Sequence, residues 1–235
     1  MRRGCAAIHE GHRDRVRKRF REEGLDHFSD VQALELLLFY VIPRGDTNPI
    51  AHELLSHFGS ISQVLEASVE DLCKVPGVGE KTALFLTMIP QMGRFYLVDR
   101  SRNATVLPTL ENCAAYLMPH FFGRKLETVF LLCLDAKCKV LCCKEVGQGG
   151  TNSTGISIRK IVETAIGVNA STVVLAHNHP SGLAVPSPED IQTTRRIAQA
   201  LQAVDIVLAD HIVIADDDYV SIAMSDERFR ECLLL

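Results

Sequence analysis

Through the first hundred positions apolar residues recur at helical spacing, and beyond them at strand spacing, so the chain predicts a helical half followed by a mixed half. Residues 9–23, HEGHRDRVRKRFREE, interleave arginines with acids and predict a solvated amphipathic helix whose charges largely cancel. Ser29-Asp30 caps a second helix through Leu34, Leu36, Leu37, Leu38, Phe39 and Tyr40, apolar almost all round, which ends before Ile42-Pro43-Arg44-Gly45. Asp46-Thr47 caps a third, with Pro49 near its start and Gly59 at its end. Ser68, with Asp71 three residues on, caps a short fourth helix. A long helix then runs to about Tyr96, and Asp99-Arg-Ser-Arg-Asn103 reads as a linker.

Beyond the linker, a helix over Leu110 to Met118 precedes a hairpin: Thr128 to Leu134, a turn at Asp135–Cys138, and Lys139 to Val146. Gly147-Gln-Gly-Gly150 bends the chain, Ser157 caps a helix reaching Ile166, and Ser171 to Ala176 forms a short buried strand. Another helix opens at Ser187-Pro-Glu-Asp190. Short strands follow at Ile206–Leu208, His211–Ala215 and Tyr219–Ala223, with Asp216–Asp218 as a turn. Strand, helix and strand in succession argue for a right-handed crossover and a layered α/β domain, a mixed sheet with flanking helices. The expected organisation is a small all-α domain over 1–99, a linker over 100–108 and the α/β domain over 109–235.

Composition narrows the classes. At 235 residues and 47% hydrophobic content the chain can bury a substantial core, and a net charge of −4 with pI near 6.1 leaves room only for local contact with nucleic acid. A charged stretch follows Met1-Arg-Arg-Gly, and no apolar run approaches membrane-spanning length, which predicts a cytoplasmic protein with no membrane partner. The eight cysteines lack C-x-x-C pairs and read as buried thiols. Cys138, Cys142 and Cys143 fall on strand-like text that sends neighbours to opposite faces, against a second zinc site.

Chemistry concentrates in residues 177–190, HNHPSGLAVPSPED. His177 and His179 lie two apart at the end of a strand, so both imidazoles point the same way. Pro180-Ser181-Gly182 breaks the strand, and the helix that opens with Ser187 as N-cap and Pro188 at its first position brings Asp190 back in its first turn. Two histidines and one carboxylate suit a zinc ion, one per chain, and three protein ligands leave a position for water, the pattern of a catalytic site. A zinc-activated water still needs a proton acceptor. Of the upstream glutamates, Glu163 lies within a helix and Glu127 begins a strand. Glu145 stands at a strand end before the glycine-rich bend, where a side chain can enter a cleft, and is the expected general acid/base.

His177-x-His179-Pro180, Ser187-x-x-Asp190 and an upstream glutamate resemble the JAMM (MPN+/JAB) metallohydrolase motif, and NHPSG, PSPED and DHIVI resemble its bacterial branch, the RadC proteins (UPF0758), over nearly the whole chain. The resemblance implies a JAB/MPN-like fold, similar to the cytidine deaminases, and a metallopeptidase with zinc on His177, His179 and Asp190. It further implies Ser187 helping to hold the tetrahedral intermediate, Glu145 as the upstream Glu, and a peptide or protein substrate. Segment 149–159 departs from the family pattern, with Ile156-Ser157-Ile158-Arg159 where Val-His-Pro-Arg is usual. His211, beside Asp210, reads as a core histidine bonded to that carboxylate rather than as a ligand.

The helical half carries a second motif. Val75-Pro76-Gly77-Val78-Gly79-Glu80-Lys81-Thr82-Ala83, within 68–92, resembles a helix-hairpin-helix. Its amides at Gly77 and Gly79, the following helix N-terminus and Lys81 suit a DNA phosphate, which would be bound without regard to sequence. The DNA-repair association carried by RadC-like proteins makes a DNA-linked role the alternative expectation.

Overall fold

The computed structural model describes residues 4–101, 106–149 and 157–225, with the backbone alone over 4–10, and the chain divides into two units, Met1–Met92 and Gly93–Leu235. The first holds α1 (Gly4–Glu23), α2 (Asp30–Val41), α3 (Asn48–Phe58), α4 (Ile61–Glu66), α5 (Val69–Leu72) and the start of α6 (Glu80–Ser101). Ser29 caps α2 in a full capping box with Gln32, and Ser68 caps α5, as their sequences predict. At α3, Thr47 occupies the cap position without a side-chain bond, and Asp46 Oδ1 instead accepts the Asn48 N–H at 3.0 Å. Leu34, Leu38, Leu54, Leu72 and Leu86 are wholly buried in the shared core.

Two expectations for this half change. Tyr40 is 66% exposed, and Glu35, on the same helix, is buried, accepting from His12 Nε2 at 3.2 Å and Asn48 Nδ2 at 3.4 Å. Nor is α1 wholly solvated: the Arg13 guanidinium lies 4.8 Å from the centre of the Phe39 ring and donates to Gly45 O at 2.7 Å. The turn before α6 depends on Gly77, whose φ is +86° and where a Cβ would meet Ile50 Cδ1 at 2.9 Å.

In the second unit α7 (Leu110–Leu117), extended by a 3₁₀ turn at Met118–Phe121, precedes β1 (Glu127–Leu134), β2 (Val140–Gly149), α8 (Ile158–Gly167), β3 (Thr172–Asn178), α9 (Pro188–Gln202), β4 (Val207–Ala215), β5 (Asp218–Ser221) and α10 (Ile222–Ser225). The five strands form one mixed sheet in the order β2-β1-β3-β4-β5, with β3 and β4 parallel and the other neighbours antiparallel. Alternation along β1 sends Phe130, Leu132 and Leu134 to the face covered by α7, and Val129, Leu131 and Cys133 to the face covered by α8 and α9. Each wholly buried leucine, such as Leu131, Leu132 or Leu175, contributes roughly 1.5–3 kcal/mol.

Boundaries move where tertiary structure decides them. α6 stays helical through Asp99–Ser101, inside the expected linker, and residues 102–105 lie outside the described residues. The separate strands expected at 206–208 and 211–215 form one strand, β4, whose register against β3 shifts between Val173 and Val174. α10 takes up Ile222 and Ala223, which were expected to be strand. Cys73, Cys113, Cys133, Cys138, Cys142 and Cys143 are free thiols, and burial pushes Cys113 up to about 11 and Cys143 up to about 12, so neither is poised as a thiolate. Among the described residues no helix is long and apolar enough to cross a membrane.

Candidate metal centre

The crossover β3–α9–β4 leaves the sheet at the C-terminal end of β3 and re-enters it alongside in parallel, so the residues after β3 and those opening α9 meet above one strand end. Val173, Leu175 and His177 alternate onto the α9 face of β3, and the last of them carries a ring at the rim of the core, 1% exposed. His179 follows, its N–H donating to Ile214 O at 2.8 Å and its Nδ1 lying 3.0 Å from Leu183 O. Because a carbonyl can only accept, that contact places the His179 proton on Nδ1 and leaves Nε2 bare. Gly182 makes the return possible, with a φ of +81°.

Asp190 arrives through a capping box. Ser187 Oγ accepts the Asp190 N–H at 3.1 Å, while Asp190 Oδ2 accepts from Ser187 N at 2.8 Å and from Ser187 Oγ at 2.7 Å. The other carboxylate oxygen, Oδ1, faces His177. Burial raises the pKa of Asp190, but in the metal-free site a protonated His177, by hydrogen bond and charge, and the two Ser187 donors outweigh it and hold the carboxyl well below its ordinary range. It is therefore an anion at any working pH.

The three donor groups close into a triangle. His177 Nε2 is 2.9 Å from His179 Nε2 and 3.5 Å from Asp190 Oδ1, and His179 Nε2 is 3.6 Å from Asp190 Oδ2. A tetrahedral zinc with ligands near 2.05 Å requires edges of about 3.3 Å between them; the two imidazole–carboxylate distances run to different Asp190 oxygens, and one ligand atom from each residue lies within 4.8 Å of the others, so the three groups would close on one ion by a small inward movement. Two neutral imidazoles that turn bare nitrogens to each other repel unless a cation or proton lies between them, a second reason that the set suits a metal. The side chains of His179 and Asp190 are 20% and 15% exposed, so the open side of the triangle faces solvent.

The structure brings His177, His179, Ser187 and Asp190 together as the sequence predicts, but not Glu145. Glu145 is opposite Phe130 in the β1–β2 register, and its Oε2 accepts from Arg124 Nη1 at 2.9 Å, with the same guanidinium 5.0 Å from the centre of the Phe130 ring. Phe130 belongs to the α7 face, whereas His177 is opposite Val129 on the α9 face. Glu145 thus pairs with Arg124 on the α7 side of the sheet, across from the face that carries His177.

Parity places Glu127 on the same face as His177. It precedes Val129 by two positions on β1, on the α9 face, and reaches about 7 Å further along the strand toward the end where His179 lies. It is half-buried, and its carboxylate has no hydrogen-bond partner among the described residues. Here β1 and β3 part, and Asn178 replaces the backbone ladder, its Oδ1 accepting from Thr128 N at 2.8 Å and its Nδ2 donating to Leu126 O at 3.3 Å. The signal available in the sequence was the two-residue period shared by Glu127, Val129, Leu131 and Cys133.

Ser187 differs from its expected part in one respect: its single hydroxyl proton lies on Asp190 Oδ2, so in this arrangement it orients the carboxylate. His211 also differs. Its backbone N–H, not its ring, donates to Asp210 Oδ1 at 2.7 Å, and its ring lies beside His177. In the helical unit Gly77 and Gly79 form the turn before α6, and Lys81 is exposed in the first turn of that helix. Residues 150–156, most of the divergent segment, lie outside the described residues.

Comparison with known proteins agrees with this architecture. Residues 107–228 match the RadC-like JAB domain, and residues 50–93 match a SAM-like helix-hairpin-helix tandem. A UPF0758 protein of Fusobacterium nucleatum is 33% identical over 219 residues, 90% of this chain and 94% of the relative. The chain belongs to the RadC-like family. UPF0758 proteins of Paraburkholderia phytofirmans and Paraburkholderia xenovorans are 35% and 34% identical, each over 210 residues and 89% of this chain, covering 81% and 83% of the relatives. In this RadC-like chain the JAB match contains all of the sheet and the whole His-His-Asp triangle, and the helix-hairpin-helix match contains Gly77, Gly79 and Lys81.

Proposed function

We propose that this chain is a zinc-dependent hydrolase of the JAMM type that cleaves a peptide or isopeptide bond. The observation that carries the reading is the triangle of His177 Nε2, His179 Nε2 and Asp190, open to solvent on one side. Zinc held there would supply Lewis-acid activation of a water and of the scissile carbonyl. The protein's own contribution is positional. His177, buried, fixes the back of the site, while Ser187 holds Asp190 Oδ2 so that Oδ1 stays turned toward His177. Glu127, on the same face and without a carboxylate partner among the described residues, takes a proton from the attacking water and returns it to the leaving nitrogen. Leu183 and Val185, 67% and 66% exposed on the loop between His179 and Ser187, offer apolar contact to an extended protein segment at the site's open side.

Removal of the metal tests this reading. Dialysis against a strong chelator is expected to abolish hydrolysis of a peptide or isopeptide substrate, and one equivalent of zinc to restore it. Hydrolysis that persists in the stripped protein would contradict it.

The helix-hairpin-helix match at 50–93 favours a second, compatible reading in which the helical unit brings the chain to DNA. The Gly77 and Gly79 amides and Lys81 would then bind one phosphate. Lys81→Ala is expected to weaken retention on duplex DNA at low salt evenly across sequences and to reduce the salt slope by about one ion. Identical binding isotherms for the two proteins across salt would remove Lys81 from that contact.

A further inference from the structure

His211 is wholly buried, yet its ring touches polar groups on both sides. Its Nε2 lies 2.7 Å from His177 Nδ1 and its Nδ1 2.6 Å from Thr194 Oγ1, while Thr194 Oγ1 lies 2.5 Å from Asp190 O. The chain of contacts has one possible direction once its far end is fixed. A peptide carbonyl can only accept, so the single hydroxyl proton of Thr194 lies on Asp190 O, and Thr194 Oγ1 must accept from His211 Nδ1–H. A neutral imidazole that donates from Nδ1 is bare at Nε2. His177 Nδ1 therefore carries the proton between the two rings, and His177 Nε2 is left bare toward His179 and Asp190.

A feature of the sheet makes this possible. Leu208 and His211 are of opposite parity, yet both face α9, because the β3–β4 register shifts by one residue between them. Without that bulge the His211 ring would turn to the α7 face.

We propose that His211 and Thr194 form a directional relay from the backbone carbonyl of Asp190 to the ring of His177, which holds His177 in the tautomer that presents Nε2 to the metal. His211 is thus a positioning residue, and the relay ties the two ligands that come from different elements, β3 and α9. The proposal rests on the reading of His177, His179 and Asp190 as metal ligands, and it assigns to this site a support that lies outside the triangle itself.

The test compares zinc affinity, by competition with a chromophoric chelator, in the wild type, His211→Phe, His211→Gln and Thr194→Val, with circular dichroism to establish folding and nitrogen-15 NMR of the histidine rings to read the His177 tautomer in the zinc-free protein. His211→Phe keeps the volume and loses the relay, and is expected to bind zinc roughly 10–100-fold more weakly. Glutamine can accept from His177 and donate to Thr194 as His211 does, so His211→Gln is expected to stay within a few-fold of the wild type. Thr194→Val, the milder change, is expected to fold and to show His177 in mixed tautomers. Wild-type affinity in folded His211→Phe, or a single Nδ1–H tautomer of His177 in Thr194→Val, would overturn the relay alone. A wild type that takes up no zinc would overturn the metal reading and the proposal with it.

Discussion

Glu127→Gln is expected to keep its zinc and its fold while losing turnover by about 10²–10⁴-fold, the usual contribution of one general acid/base. The reason is the register of β1: the strand puts Glu127 on the face of Val129, opposite which His177 stands, and leaves its carboxylate without a partner among the described residues. Glutamine preserves size and polarity and removes only the ability to carry a proton. Glu145→Gln is the matched control. Its carboxylate is held by Arg124 on the α7 face, at an ion pair whose side chains are 39% and 20% exposed, so its loss is expected to cost no more than about 1 kcal/mol of stability and to leave turnover within a few-fold. Turnover of both variants is measured on the same peptide or isopeptide substrate, with zinc content determined for each preparation. Full activity in Glu127→Gln, or a collapse of turnover in zinc-loaded Glu145→Gln, would return the proton-transfer role to the strand end before the glycine-rich bend.

Asp190→Ala is expected to fail in two ways at once, and Ser187→Ala in only one. Asp190 supplies the only anionic corner of the metal triangle and also the carboxylate that completes the capping box of α9. Its removal takes a ligand from a three-ligand site, and stoichiometric zinc should be lost after desalting. Loss of the reciprocal bond that the Ser187 N–H donates to Oδ2 costs about 1 kcal/mol in addition. Ser187→Ala loses a comparable capping energy, but the carboxylate keeps its place in the triangle, so this variant should retain zinc with weaker affinity. Thermal melts separate the two effects, because added zinc should raise the melting temperature of Ser187→Ala and leave that of Asp190→Ala unmoved. A zinc-dependent rise in Asp190→Ala as large as that of the wild type would remove Asp190 from the ligand set.

Much of the site was legible because local rules place it. A strand's two-residue period aims His177 and His179 together, and the Ser187–Pro188–Asp190 start signal folds the carboxylate back within three residues. Neither inference needs a distant part of the chain. Distant parts of the chain decide where Glu127 and the His211 ring lie. The parity of Glu127 with Val129, Leu131 and Cys133 is present in the sequence, but the pairing of Val129 with His177, 48 positions away, is not. Adjacency suggests a bond between His211 and Asp210, yet neighbours on a strand point to opposite faces, and only the shift in register within β4 brings the ring to His177. The same shift lies where the sequence suggested a gap between two strands. In the helical half, capping residues marked the starts of α2 and α5, while the burial of Glu35 depends on His12 and Asn48, 23 and 13 positions away.

The most direct measurement is the zinc content of the purified chain by elemental analysis, before and after loading with zinc and desalting, beside His179→Ala. The His-His-Asp triangle predicts about one zinc per wild-type chain and none retained by the variant. A folded wild-type chain that holds no zinc after loading, or a His179→Ala protein that holds as much, would contradict the metal centre on which the hydrolase reading stands.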